Sequence, residues 1–494
     1  MPVAAFIMLF AILVSALIGF LAAKLRVKAL RADTYIVAGR ALGTLVYFLN
    51  TAAAVYSGYT FLGGAGYSYS YGAAAIFIWA TSLLGYVIGY IIAPYIWSVA
   101  KKNNLLTFSD YIMWRYESRL LMLLAAVISV IFNIPYVQMQ IRSVSILLDV
   151  CAEGTIPAVH IATLSFILIV LYVSLGGMVS VAFTNVFFGT LMLATMFGGS
   201  LAVILKYFGG LPGLYRAVEA TSPVYLTLGL RSETWFISTT IGTALNFWVW
   251  STRVQLLYTA KDVKVLRKSM ALLSWYIILG TVWVTHIGLV ALALGLKLKH
   301  PDYAFVEIVN LAYGSVALGL VAAGGAAASL STAAAILLDQ ASTTTKNIIE
   351  ILIKKDFNEK RLVTTTRILV LILGIIATIL TYIMPALLVD LYLLSASGVL
   401  QLFPALVVGI FWRGLSKYEI IPGLLVGEIV VISLYLQKQE PYGITTMMWG
   451  LLANIAIILI VYITRRTSKC GIYRCSYLNV NQVYFREKTS KLPT

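Results

Sequence analysis

The sequence predicts an all-α polytopic membrane protein, and three observations carry that prediction. Apolar runs of about 20 residues recur along the whole chain, each long enough to cross a bilayer as a helix. Only 11% of the 494 residues are charged and 61% are hydrophobic, with a mean hydropathy of +0.92; soluble chains carry roughly 25% charged residues. The basic residues also alternate in step with those runs. Thirteen spans are expected, near 3–23, 43–67, 72–97, 121–148, 158–182, 185–206, 234–257, 270–296, 308–343, 364–384, 388–412, 418–437 and 444–464. With the N-terminus outside, 28 of the 36 Lys and Arg fall on the cytoplasmic side, six outside and two, Arg142 and Arg253, within spans. That asymmetry is the positive-inside pattern. The net charge of +17 is therefore an orientation signal with attraction to anionic lipid heads as a by-product, and no nucleic-acid partner is expected.

The first run, 3–23, spans without a basic stretch before it, so no cleavable signal peptide is expected. Span 2 contains Tyr56-Ser57-Gly58 and Gly63-Gly64-Ala65-Gly66. Glycine weakens a helix by up to about 1 kcal/mol relative to alanine. A break inside a bilayer is tolerated only where the backbone faces protein or a water-filled cavity. Two readings follow: tight packing on a neighbour, or a discontinuous helix whose freed carbonyls bind a ligand. A polar segment, 101–119, follows span 3 on the cytoplasmic side.

Span 4 holds Asn133, Pro135, Gln138, Gln140 and Arg142. Gln138 and Arg142 are four apart and share a helix face. Arg142 is either a counter-charge for an anionic group or a side chain that snorkels to the outer surface. Span 7 mixes Asn246, Phe247, Trp248, Trp250, Ser251 and Arg253, which suits a small-molecule pocket; Arg253, near the inner end, is expected to snorkel. Span 9 contains the small-residue stretch 324–345, with hydroxyls at Ser329, Ser331 and Thr332 and an acid at Asp339. Small residues let helices approach closely. Oxygen-bearing side chains at that depth are helix glue or ion ligands.

Cys151, Cys470 and Cys475 form no disulfide framework, and the three histidines have no metal-ligand spacing. No H-E-x-x-H, G-x-S-x-G or G-x-x-x-x-G-K-[ST] pattern is present, so an enzyme is not expected. The 30 residues after Thr464 are too few for a signalling domain, and a channel would be a symmetric oligomer with a filter ring.

Several segments carry a family resemblance. Asp33 to Arg40, DTYIVAGR, is similar to a D-Y-F-x-A-G-R entry to span 2. Thr107 to Arg119, TFSDYIMWRYESR, is similar to a cytoplasmic T-x-x-[DE]-Y-x-x-x-R-[FY] segment. Tyr172 to Ser180, Ser397-Gly398, Pro404, Phe411-Trp412-Arg413 and Pro422-Gly423 follow in matching order. The chain resembles the sodium:solute symporters, which include sodium/proline, sodium/pantothenate, sodium/monocarboxylate and sodium/sugar carriers.

The resemblance implies one transporter domain over 1–464 and a basic cytoplasmic tail, 465–494. Its core would be two five-helix inverted repeats of the LeuT type, about 43–206 and 234–412, each with a broken first helix. It implies a sodium ion between span 2 (carbonyls of Ala53 and Tyr56) and span 9 (the Ala328 carbonyl, Ser331 and Thr332), with no organic cofactor. Neutral oxygens suit a hard cation. The substrate pocket would draw on Ser57, Thr60, Gln138, Arg142, Asn246, Phe247 and Ser251. Arg142 favours a carboxylate-bearing solute such as an amino acid or monocarboxylate; a sugar or vitamin is the alternative. Three positions depart from the family's pattern: Val55 and Asn185 replace acids, and Leu256 replaces an arginine. They leave proton coupling open, with Asp339 as the titrating group and Asn185 as a position affecting ion release. The implied setting is the plasma membrane, in contact with lipid, with a monomer as the functional unit.

Overall fold

The computed structural model describes residues 2–26, 31–154, 157–383 and 388–472. Cys475 and most of the basic tail lie outside the described residues. Among those described, every regular element is helical, and ten helical runs are long and apolar enough to cross a membrane. The expectation of thirteen spans divides two of these runs, at Gly72 and at 183–184, and adds an interrupted pair of short helices; the second run in fact turns at Gly177.

Both glycines take a backbone that side chains resist. Gly72 has φ 56 and ψ −129, and Gly177 has φ 56 and ψ −143. A Cβ on Gly72 would lie 2.1 Å from the Tyr225 carbonyl oxygen, and one on Gly177 2.2 Å from that of Tyr35. We expect Gly177→Ala to lower the melting midpoint in detergent: the left-handed backbone alone costs about 1–2 kcal/mol, before the clash. Gly198→Ala, on the same helical run with open space around it, should be neutral or stabilising. Equal midpoints for the two variants would contradict this account.

The first span is α1 (Val3–Arg26). Span 2 is discontinuous. Helix α2 (Thr44–Val55) ends where Tyr56 turns extended, φ −86 and ψ 109. A π-helical turn, Tyr59–Gly63, then leads into α3 (Gly64–Tyr71). Close packing contributes as well: a Cβ on Gly58 would sit 2.4 Å from the Ser143 hydroxyl. Helices α4 (Phe77–Lys102), α5 (Phe108–Tyr116), α6 (Arg119–Cys151) and α7 (Ala158–Phe208) follow, the last divided at Gly177. Span 7 is also broken, into α8 (Glu233–Asn246) and α9 (Ser251–Tyr258), with Phe247 to Trp250 between them. Then come α10 (Val263–Leu279), α11 (Thr281–Ala293) and α12 (Ala304–Thr343). The chain continues through α13 (Glu359–Ile383), α14 (Leu388–Val399), α15 (Lys417–Leu436) and α16 (Thr446–Ile472).

Helix α12 is the buried axis, packed against α1, α6 and α7. Its small residues permit that approach: a Cβ on Gly324 would lie 1.8 Å from the Thr195 hydroxyl, and one on Gly325 2.9 Å from Leu147. The helix starts at Ala304, before the expected 308, and Gly314 (φ 73, ψ −167) separates its first ten residues from the rest.

The start of α2 and the end of α9 are tied together, with α4 joining them. Leu42 N donates to the Thr259 carbonyl at 3.1 Å, Lys261 N donates to that of Leu42 at 3.0 Å, and the Trp97 indole donates to that of Ala260 at 2.9 Å.

The polar segment 101–119 is clamped to the C-terminal end of α12 and the residues that follow it. Thr107 caps α5 in a reciprocal capping box with Asp110. Asp110 accepts from Leu106 N (2.9 Å), Thr107 N (3.1 Å), Lys346 Nζ (2.7 Å) and Asn347 Nδ2 (2.9 Å). Burial pushes its carboxyl pKa up, but Lys346 and these donors outweigh burial and hold it below the usual range. A depressed carboxyl contributes stability above its unfolded pKa, near 4, and loses it as pH falls through the lower folded value. We expect Asp110→Asn to cost about 3 kcal/mol, the order seen on breaking a buried ion pair. The difference from wild type should be constant at neutral pH and shrink only below about pH 4. Denaturation midpoints between pH 3 and 8 test this; a difference that already vanishes by pH 6 would contradict it.

Candidate ion and substrate site

The end of α2 supplies carbonyls that a continuous helix would have used in its own ladder. They face α12. Ser331 Oγ donates to the Ala53 carbonyl at 2.6 Å and lies 3.1 Å from that of Ala328. Thr332 Oγ1 lies 3.4 Å from the Ala53 carbonyl and 3.5 Å from that of Tyr56. So the Ala53, Tyr56 and Ala328 carbonyls and the Ser331 and Thr332 hydroxyls converge on one fully enclosed point. Rotation of two hydroxyl protons turns all five oxygens into lone-pair donors, which is the chemistry a hard monovalent cation requires. Ser329 packs beside them, donating to Ser143 Oγ at 2.8 Å.

A second polar centre joins α9 to α12. Asp339 is fully buried. Its Oδ2 accepts from Ser251 Oγ (2.5 Å), Thr252 Oγ1 (2.9 Å) and Gln340 Nε2 (2.7 Å). Ser251, expected in the substrate pocket, thus faces the inner side of the break. Asn185 donates to Asn50 Oδ1 at 2.9 Å, linking α7 to α2 one turn inward of Ala53.

Between the two breaks lies a small cavity walled by Tyr56, Tyr59, Thr60, Thr81, Tyr136, Phe247, Arg253 and Tyr392, among others. Its aromatic wall is continuous. Tyr59 stacks on Tyr392 with ring centres 4.1 Å apart, Trp250 stacks on Tyr392 at 5.9 Å, and Tyr136 lies 4.9 Å from Trp250. Thr60 and Phe247 are at this cavity, and Ser57 accepts from the Tyr136 hydroxyl at 3.3 Å just behind it. Asn246 is buried at the end of α8, with both amide atoms unpartnered among the described residues.

The arginines reverse the expectation. Arg253 does not snorkel: it is 7% exposed. Helical side chains lean toward their N-terminus, and Arg253 is the third residue of α9. Its side chain therefore runs back over the break. There Nη1 donates to the Phe247 carbonyl at 2.6 Å, and the guanidinium lies 4.0 Å from the Phe247 ring centre. It also interacts with the Tyr136 and Tyr392 hydroxyls. Arg142 sits six residues outward of Tyr136 on α6, half-buried, where its charge acts on His300, Asp302 and Tyr303. Gln138 is buried on the same helix, and Gln140 is the residue that reaches the break, accepting from Gly58 N at 3.1 Å. We expect Arg142→Gln to change uptake of a carboxylate solute by less than about threefold, the scale of a rim charge; a loss of 30-fold or more would return Arg142 to the pocket.

The arrangement places lone-pair oxygens and a cation beside a cavity between two broken helices. The family model for the sodium:solute symporter family matches residues 35–427. The chain is 30% identical over 447 residues to the uncharacterized symporter YodF of Bacillus subtilis, covering 90% of each chain. It is 25% identical over 466 residues to the osmoregulated proline transporter OpuE of the same organism, covering 92% of this chain and 94% of that one. Its fold is that of a Na+-coupled sialic acid symporter in a substrate-bound outward-open state, with a TM-score of 0.75, 15% identity and coverage of 94% and 97%. With a family match over most of its length and a LeuT-type fold, this multi-pass membrane protein is a transporter and a member of the sodium:solute symporter family.

Proposed function

We propose that the protein carries a small carboxylate-bearing solute into the cell together with sodium, by alternating access. Sodium lies between Ala53, Tyr56, Ala328, Ser331 and Thr332, where it bridges the break in span 2 to span 9. The solute occupies the neighbouring cavity. Spans 2–6 and 7–11 act as the two repeats, with the N-terminus outside and the basic side in the cytoplasm. Sodium favours the outward-facing arrangement; solute binding and closure favour the inward-facing one, and low cytoplasmic sodium releases both.

The observation that carries the solute class is Arg253. It is the cation at the cavity, and the cavity wall contains no acid. A cation in the first turn of a helix opposes the helix dipole, at a cost of about 0.3–1 kcal/mol. The same geometry serves an anion well, because guanidinium and helix N-terminus then point at it together. Proline and sialic acid, handled by the relatives named above, both carry a carboxylate. The cavity is about 10 Å³ in this structure; when it opens, the aromatic wall can pack against an apolar body behind that group. Competition separates the classes: pyruvate, lactate and proline should inhibit uptake, and their amides should be at least tenfold weaker. Equal inhibition by acid and amide, or inhibition by galactose alone, would remove the carboxylate assignment.

A further inference from the structure

Asp339 poses a separate problem. It is a fully buried acid, and among the described residues no lysine or arginine forms an ion pair with it. An isolated carboxylate in such a place is costly unless a cation joins it. Its two oxygens are unequal. Oδ2 takes three donors, from Ser251, Thr252 and Gln340. Oδ1 is buried and has no partner. The side-chain oxygens of Gln340 and of Gln255, one turn further along α9, are buried and unpartnered too. Gln255 is held in place by donating to Ser342 Oγ at 2.9 Å.

Three donors already fill Oδ2, whereas Oδ1 and the two glutamine oxygens present lone pairs alone, the donor set of a hard cation. A proton on Oδ2 would displace one of three existing donors. A sodium ion needs lone pairs alone, and Oδ1 offers both of its own, with the Ser251 and Thr252 hydroxyls able to rotate toward the ion. The location also suits coupling. Asp339 lies seven residues from Thr332, about 10 Å along α12, and contacts the inner half of the broken span 7. A cation there would tie α9 to α12, as the outer site ties α2 to α12.

We propose that Asp339, with Ser251, Thr252 and the neighbouring glutamine oxygens, forms a second sodium site on the inner side of the first. It rests on the transport reading only in assigning a further coupling ion; its own evidence is independent of the Ser331–Thr332 site. The test is direct binding of radioactive sodium to the purified full-length protein in detergent at constant ionic strength. Wild type should bind two sodium ions and Asp339→Asn one. Ser251→Ala with Thr252→Val keeps the acid and provides a check if Asp339→Asn does not fold; it should weaken one of the two ions at least tenfold. Ser331→Ala with Thr332→Ala should also leave one ion. Two ions in Asp339→Asn would overturn the proposal. So would one ion in wild type, lost only with Ser331 and Thr332, or a proton taken up in wild type and absent in Asp339→Asn. Loss confined to the Asp339 variants, with the Ser331–Thr332 variant still binding two, would leave the second site standing and sink the first.

Discussion

Replacing Ser331 and Thr332 together by alanine should raise the sodium concentration for half-maximal uptake by roughly 10–100-fold. The two hydroxyls are two of the five oxygens that converge at the break in span 2. Each polar contact of this kind is worth about 0.5–1.5 kcal/mol net, and every 1.4 kcal/mol is a factor of ten. Alanine also leaves the Ala53 carbonyl without its 2.6 Å donor, so some loss of stability will accompany the change. The two effects separate in uptake assays. A purely structural role for the hydroxyls lowers the amount of folded protein and leaves the sodium dependence of the remainder untouched. A ligand role shifts the sodium curve while high sodium restores uptake. An unshifted curve would remove the sodium assignment.

Arg253→Gln should lower affinity for a carboxylate solute by about 100-fold or more, because truncating one partner of a buried charge pair costs 2–5 kcal/mol. Glutamine can still donate to the Phe247 carbonyl, so the break keeps a hydrogen bond and the lesion is confined to charge. Arg253→Lys keeps the charge but loses the planar fork, and should fall between the two. The sodium curve should stay in place at saturating solute. If Arg253→Gln leaves acid and amide competitors unchanged in rank, the arginine only closes the break in span 7, and the solute class must be sought elsewhere in the cavity.

How much of this was legible in the sequence differs from residue to residue. Span 9 was legible because small residues and paired hydroxyls stand out in an apolar run; in span 2 the glycines signalled an interruption, but the break lies at Tyr56, and Gly63 and Gly64 are helical just beyond it. The span 2 partners of Ser331 and Thr332 are more than 270 positions away, so only the family resemblance could propose Ala53 and Tyr56. Arg253 was misplaced for a geometric reason. Counting along an unbroken span 7 puts it at the inner surface, whereas the interruption at Phe247–Trp250 starts a new helix whose first turn aims its side chains back at the cavity. The signal available was that cluster itself: two tryptophans and Asn246 just before a basic residue. Arg142 reads from the sequence as either a counter-charge or a snorkelling side chain, and it lies half-buried apart from the residues that line the cavity. Asp339 could be seen as an intramembrane acid, but its partners Ser251 and Thr252 lie on the other broken helix, beyond the reach of local pattern.

Sodium-driven entry is tested by uptake under imposed gradients. Purified protein in proteoliposomes is given labelled pyruvate, lactate, proline, pantothenate and galactose in turn, with either an inward sodium gradient at equal pH or an inward proton gradient without sodium. The account predicts concentrative uptake of a carboxylate-bearing solute with the sodium gradient, saturating with solute and absent with the proton gradient alone. Full uptake driven by the proton gradient without sodium would contradict it.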